Sequence, residues 1–328
     1  MTIFCMQAKP RIVVLGDYEQ CLQRFADWSS IAERSQLSFH HEPLSGEALY
    51  EVVKDAEVIA LVRDRSPFNA ELIARLPKLQ FFLFTGARNN LLDHQALINR
   101  GIPIACTPGG PSKETTAELT WALILAATKN IVDQTQLLQQ GQWRNSDSVL
   151  PMLSGQRLGI IGLGAIGGIV AKVGAAFGMD VVCWSPNMTP ERAKAAHCEF
   201  VPLDTLLQTS KVVSLHLVVG PNTKGLMNKE RLQLMRADSV LVNTARSALI
   251  VTADLMEALK MGRPGKAALD VFDIEPIPQD SPLRHTPNLL MSPHLGFIAE
   301  PIFSSFAKGM VDSLTAWLDG KTIPLPFK

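Results

Sequence analysis

Leu158–Asn187 reads LGIIGLGAIGGIVAKVGAAFGMDVVCWSPN. An apolar β-branched run stops at a glycine turn, an apolar helical stretch follows, and a second β-branched run closes the unit. Gly162, Gly164 and Gly167 fall at GxGxxG spacing. In such a turn the first glycine permits the tight bend, the second lets the backbone approach a pyrophosphate, and the third lets helix pack on strand. Ala165 and Ile166 would open the helix, where free N–H groups and a partial positive charge favour phosphate. The unit predicts a bound dinucleotide. An acid that grips the adenosine ribose is expected about twenty residues on, yet the second strand ends Val181-Val182-Cys183-Trp184-Ser185. Ser185 can hydrogen-bond a ribose hydroxyl but repels no 2′-phosphate. Residues Pro186-Asn187-Met188-Thr189 are neutral, and Arg192, the first base, is expected one helical turn away. NAD is the expected cofactor, with NADP tolerated.

Outward from this unit the pattern repeats. Strands are predicted at Leu158–Gly162, Asp180–Trp184, Val212–Leu217, Val240–Asn243, Ala267–Phe272 and Leu289–Met291, with helical segments between most of them. Alternation of this kind means a parallel, doubly wound sheet. Upstream, Arg11–Gly16, Val58–Val62, Leu79–Phe84 and Ile102–Cys106 predict a smaller α/β unit. A last helix, Glu300 to Leu318, has no place in the larger sheet and is assigned to the first unit. The expected architecture is α/β: a Rossmann dinucleotide domain (109–296) inserted in a smaller flavodoxin-like substrate domain (1–108 plus 297–328). Ser112 is expected to cap one long helix, Lys113 to about Gln139, with Glu114 in its first turn. Its apolar residues Leu119, Leu123, Ala126 and Ala127 exceed what one domain covers, which predicts a homodimer.

Composition narrows the class. The 328 residues carry 31 Lys plus Arg against 31 Asp plus Glu, and no basic block stands out. A nucleic-acid or anionic-membrane surface is not expected. Cys5, Cys21, Cys106, Cys183 and Cys198 form no CxxC and read as reduced thiols of a cytoplasmic protein. The opening MTIFCMQAKPR places its bases after its apolar run and makes a poor signal peptide. The glycine-rich run 158–170 stops at Lys172, short of a membrane span.

Chemistry-bearing residues gather at the ends of the predicted strands. Arg246 follows strand 240–243, Asp270 and Glu275 lie at and just past the end of strand 267–272, and His294 follows strand 289–291. Parallel strands share a direction, so all four belong to the edge that carries the glycine turn, where open α/β sheets bind ligands. An arginine, a carboxylate and a histidine beside a nicotinamide form the minimum set for carbonyl reduction. The arginine polarises the carbonyl, the histidine supplies a proton, and the carboxylate orients the histidine. Singly, each could be a strand-end cap, a turn residue or a surface group; together on one edge they are a site. His40, His41 and His216 lack partners at ligand spacing, and no metal is expected.

GLGAIG, HLVVGPNTKGLMN, LVNTARSALIV, AALDVFDIEPIPQDSPL and SPHLG resemble, in order and spacing, the motifs of the D-isomer-specific 2-hydroxyacid dehydrogenases, and the phosphoglycerate-type branch among them. The resemblance implies that Arg246, Glu275 and His294 are catalytic, that Asp270 lies against the nicotinamide, and that Thr244 belongs to the cofactor site. FTGARNNLLD resembles the family loop whose backbone N–H groups hold the substrate carboxylate, which implies Gly86 and Ala87; Arg88 stands where the family has a second glycine. VRDRSPF resembles a segment that makes Arg63 a candidate for the substrate's far end, against the alternative of an exposed Arg63/Arg65 pair balanced by Asp64. The implied substrates are small 2-oxoacids or D-2-hydroxyacids, taken in a cleft that closes. The dimeric, NAD-binding corepressors share this architecture and the arginine, glutamate and histidine. They form the alternative, an interaction module without turnover, although no long tail follows the last helix here. With about thirty residues after His294, no regulatory domain is expected either.

Overall fold

In the computed structural model the described residues are 9–327. Cys5 and the opening apolar run lie outside them. Contacts divide the chain into two units, Met1–Pro111 with Ala299–Lys328, and Ser112–Ile298.

The first unit holds a five-stranded parallel sheet in the order β2-β1-β3-β4-β5. Its strands are β1 (Arg11–Leu15), β2 (Gln36–His40), β3 (Val58–Leu61), β4 (Phe81–Phe84) and β5 (Ile104–Cys106). β3 (VIAL) and β4 (FFLF) are buried along their whole length, as the central strands of a sheet covered on both faces must be. β2 was not expected from the sequence: QLSFH mixes polar and apolar residues because it lies at the edge, with every residue partly open. The helix Glu300–Leu318 belongs to this unit and buries Ile302, Phe303, Phe306, Ala307, Met310 and Leu314.

The second unit holds a seven-stranded parallel sheet in the order β12-β11-β10-β9-β6-β7-β8. It comprises β6 (Arg157–Ile161), β7 (Asp180–Trp184), β8 (Glu199–Phe200), β9 (Val212–Leu215), β10 (Val240–Asn243), β11 (Lys266–Leu269) and β12 (Leu289–Met291). The order reverses between β6 and β9, so the crevice of the doubly wound fold opens beside the glycine turn. Alternate residues serve opposite faces. Leu158, Ile160, Val212, Val240 and Val242 pack one core, while Ile161, Val213, Leu215 and Leu241 pack the other. β8 escaped the sequence because two residues carry no periodicity.

The long helix expected after Ser112 is two. The first runs Ser112–Thr128 and includes Ser112 itself, so Ser112 does not precede it as a cap; the second runs Ile131–Gln139. Between them Asn130 takes a left-handed backbone, φ 49°, a conformation its short amide side chain tolerates. Lys266 Nζ donates to the Asn130 side chain and holds the break. The first helix spends its apolar residues inside its own unit. Leu123, Ile124 and Ala127 are buried, Leu119 packs on the same core, and Trp121 Nε1 donates to Val170 O at 3.1 Å. The apolar excess lies further on, where Ile131, Leu138, Trp143, Val149 and Met152 are exposed.

Candidate active site

The glycine turn is built by close approach. Gly162 sits at φ +104°, and a Cβ there would lie 2.7 Å from the His216 carbonyl. A Cβ on Gly167 would lie 2.2 Å from Gly162 O, so only glycine lets the helix Ala165–Ala176 begin against β6. Gly164 has open space where a Cβ would stand and caps the helix without a side chain. The first helical bond is Gly168 N–H to Gly164 O. The N–H groups of Ala165, Ile166 and Gly167 therefore have no partner within the helix. A pyrophosphate fits this cradle: clear space above Gly164 and N–H donors in the first turn. Gly162 N–H donates to Trp184 O at 2.8 Å, which ties the end of β7, and Ser185 after it, to the same turn.

On the same edge, three segments beyond β10, β11 and β12 bring the reactive groups together. His294 Nδ1 and Glu275 Oε2 are 2.5 Å apart, and Glu275 Oε1 accepts the Phe272 N–H at 2.8 Å. Burial pushes the Glu275 carboxyl up, but the His294 hydrogen bond and charge, the Phe272 N–H and the Arg246 guanidinium outweigh it. They hold the group below its ordinary value. Glu275 is therefore charged through the neutral range and faces the His294 ring with an accepting oxygen. Arg246 is exposed; Nη1 donates to Ala245 O at 2.6 Å, and Asn243 Nδ2 fixes its backbone by donating to Arg246 O at 2.8 Å.

Asp270 also braces the loop around His294. β11 ends at Leu269, so the carboxylate follows the strand at once and is buried, 1% exposed. Its oxygens are committed: Ser292 Oγ at 2.6 Å and Leu295 N–H at 2.8 Å donate to Oδ1, and Gly296 N–H at 2.9 Å donates to Oδ2. These donors flank His294 on both sides. His294 itself sits at φ +53°, a left-handed backbone that costs a non-glycine residue about 1–3 kcal/mol and survives only where neighbours over-determine it. Asp270 supplies that constraint, and Thr116 Oγ1 adds a bond to Gly296 O at 2.8 Å. Burial raises the Asp270 carboxyl, opposed by those three donors and the His294 charge. Sequence spacing placed Asp270 at the edge; only the folded loop shows what it holds. Thr244, expected at the cofactor, is buried and shares a 2.7 Å hydrogen bond with Thr120 Oγ1. The His216 ring, unassigned from sequence, bonds Ser214 Oγ at 2.8 Å through Nε2, and burial pushes it down to about 4.

The first unit presents its own cluster. Arg63 is half-buried with φ +53°; its N–H donates to Thr85 Oγ1 at 3.0 Å, and its carbonyl accepts from Asn89 Nδ2 at 3.1 Å. Its guanidinium covers Gly86, where a Cβ would lie 2.2 Å from Nη1. Neither arginine of the Arg63/Arg65 pair is exposed; both are half-buried. Arg65 pairs with Glu19 at 2.6 and 2.7 Å and stacks on Tyr18, while Asp64 accepts from Asn90 N–H. Gly86 N–H donates to Thr107 Oγ1 at 3.2 Å and so has an acceptor already; Ala87 and Arg88 are exposed. Among the described residues no cluster of three His, Cys, Asp or Glu is arranged for a metal, and no helix is long and apolar enough to cross a membrane.

Comparison with known proteins matches this edge to a family. Residues 121–296 match the D-isomer specific 2-hydroxyacid dehydrogenase NAD binding domain. A glyoxylate reductase of Korarchaeum cryptofilum is 32% identical over 323 residues, covering 96% of this chain and 95% of that protein. A hydroxypyruvate reductase of Blautia hydrogenotrophica is 28% identical over 328 residues, covering 95% and 98%. Among solved structures, a phosphoglycerate oxidoreductase of Vibrio cholerae O395 is 30% identical with a TM-score of 0.83, covering 92% of this chain and 98% of that one. The chain belongs to the D-isomer-specific 2-hydroxyacid dehydrogenase family. It is an NAD-dependent 2-hydroxyacid oxidoreductase, and the interaction-module alternative is not favoured.

Proposed function

We propose that the chain interconverts a small 2-oxoacid, of the size of glyoxylate or hydroxypyruvate, and its D-2-hydroxyacid, with His294 as the general acid and base. The observation that carries this is the 2.5 Å contact between His294 Nδ1 and Glu275 Oε2 on the edge that carries the glycine turn. Bound at that turn, the dinucleotide supplies the hydride for reduction or accepts it in oxidation. In reduction, His294 protonated at both nitrogens keeps Nδ1 on Glu275 and delivers its other proton from Nε2 to the carbonyl oxygen. In oxidation the neutral ring takes that proton back. Arg246 stays charged throughout and stabilises the oxygen as it gains charge. From the first unit, we assign Ala87 and Gly86 to the substrate carboxylate and Arg63 and Arg88 to its far end, on the strength of the family resemblance. On the same resemblance we assign Thr244 and Asp270 to the cofactor, with Asp270 against the nicotinamide.

The size assignment follows the relatives named glyoxylate reductase and hydroxypyruvate reductase. Initial rates for a panel of small 2-oxoacids with NADH test it: turnover of glyoxylate or hydroxypyruvate is expected, and none across the panel would remove the proposal. We further propose a homodimer joined through the exposed apolar residues of Ile131–Gln139 and the segment after it, including Trp143 and Val149. Light scattering at micromolar concentration should give twice the chain mass, 35.9 kDa each. The free thiols Cys21, Cys106, Cys183 and Cys198 fit a reducing compartment, and we place the enzyme in the cytoplasm.

A further inference from the structure

After β7 the chain doubles back beside the position expected for the adenosine ribose. Met188 N–H donates to Ser185 O at 3.0 Å and closes a turn. Thr189 then caps the helix Pro190–Ala195 through the Arg192 N–H. Arg192 lies in that helix. Nη1 reaches back to Asn187 O at 2.6 Å, and the guanidinium is held against the Ser185–Thr189 turn.

Its electrostatic setting matters as much as its place. Arg192 is exposed, and among the described residues no carboxylate forms an ion pair with it. Glu191 is engaged by its own N–H and by Thr189, which hold its carboxyl below the ordinary value. Other arginines of this unit are neutralised: Arg157 by Asp180 at 2.7 Å, Arg236 by Asp238 at 2.8 Å. The turn therefore joins a serine in place of the usual acid with a cation that has no acidic partner. An acid at the end of β7 would repel a ribose 2′-phosphate; a hydroxyl and a guanidinium attract one.

We propose that Ser185 and Arg192 form a 2′-phosphate subsite, so that the phosphorylated dinucleotide NADP(H) binds at least as tightly as NAD(H). Asn187 O occupies one nitrogen of the guanidinium and leaves other N–H groups for phosphate oxygens, with the Ser185 hydroxyl as a further donor. The inference rests on the glycine turn's being a dinucleotide site.

The test is equilibrium binding, followed by quenching of tryptophan fluorescence, which Trp184 at the end of β7 is placed to report. The quantity read is the ratio of the NADPH and NADH dissociation constants. Arg192→Gln should raise that ratio roughly tenfold, Arg192→Lys should restore most of it, and Ser185→Asp should raise it at least as much as Arg192→Gln. Adenosine 2′-phosphate should displace NADPH from the parent and lose affinity in Arg192→Gln. A ratio unmoved by both Arg192→Gln and Ser185→Asp overturns the subsite. So does a parent that binds NADH and rejects NADPH, a result that leaves the oxidoreductase reading standing. A parent that binds neither dinucleotide removes the cofactor site and the subsite together.

Discussion

At the carboxyl edge of the seven-stranded sheet, polar groups are committed to one another: Glu275 to His294 and the Phe272 N–H, Asp270 to the loop on either side of His294. At the carboxyl edge of the five-stranded sheet, a cation is set over bare backbone. Arg63 at φ +53° and Gly86 at φ +79° stand on neighbouring loops, the guanidinium of one over the Cα of the other. Both edges follow from the same parallel architecture, and they solve different problems. Proton transfer needs a donor whose position is set in advance, and we assign that work to Glu275 at the ring and Asp270 under its loop. The proposed role of the other loop, meeting a small anion, needs bare backbone and a cation, which a glycine beneath an arginine provides.

The largest effect should come from the charged group left least constrained. Arg246→Ala removes a guanidinium from the developing alkoxide, a contact worth about 3 kcal/mol, and kcat/KM should fall roughly a hundredfold. The dissociation constant of the cofactor should change far less, because the glycine turn holds it. Equal losses in both would place Arg246 in the cofactor site.

A smaller and more diagnostic change is Glu275→Gln. The carboxyl is held below its ordinary value in the fold, so it is ionised from mildly acidic pH upward and presents its charge to His294 throughout that range. The amide cannot. Reduction should then lose rate, and lose more of it toward high pH than the parent does. The profile for reduction decides the matter: an unmoved limb denies Glu275 the role.

The smallest effect belongs to the other sheet. Gly86→Ala puts a methyl 2.2 Å from Arg63 Nη1 at a positive φ. The side chain can swing aside, so stability should drop only about 1 kcal/mol, while KM for the 2-oxoacid rises several-fold with kcat little changed. A drop in thermal midpoint with KM untouched would make the Arg63–Gly86 contact purely structural and sharpen the contrast between the two edges.

Much of this was legible in the chain. Strands β1, β3, β6, β7, β9 and β10 announce themselves by continuous apolar, mostly β-branched runs, because strands covered on both faces accept nothing else. The glycine turn was legible for a steric reason: Gly162 and Gly167 stand where a Cβ would collide with backbone, so spacing alone encodes the approach. Parallel direction then placed Arg246, Glu275 and His294 at one edge without coordinates. Edge strands β2 and β8 did not show, being mixed or too short for a period. Nor did the break at Asn130, where one left-handed residue inside a helical pattern leaves no compositional mark. What only the tertiary structure decided were the partners. Asp270 bonds residues more than twenty positions away, Gly86 spends its N–H on Thr107, and Arg192 curls back on Asn187. Sequence determines which groups exist and which way their strands run. Which donor meets which acceptor is settled by loop geometry, because a hydrogen bond depends on tenths of an ångström and on direction, and neither is written in residue order.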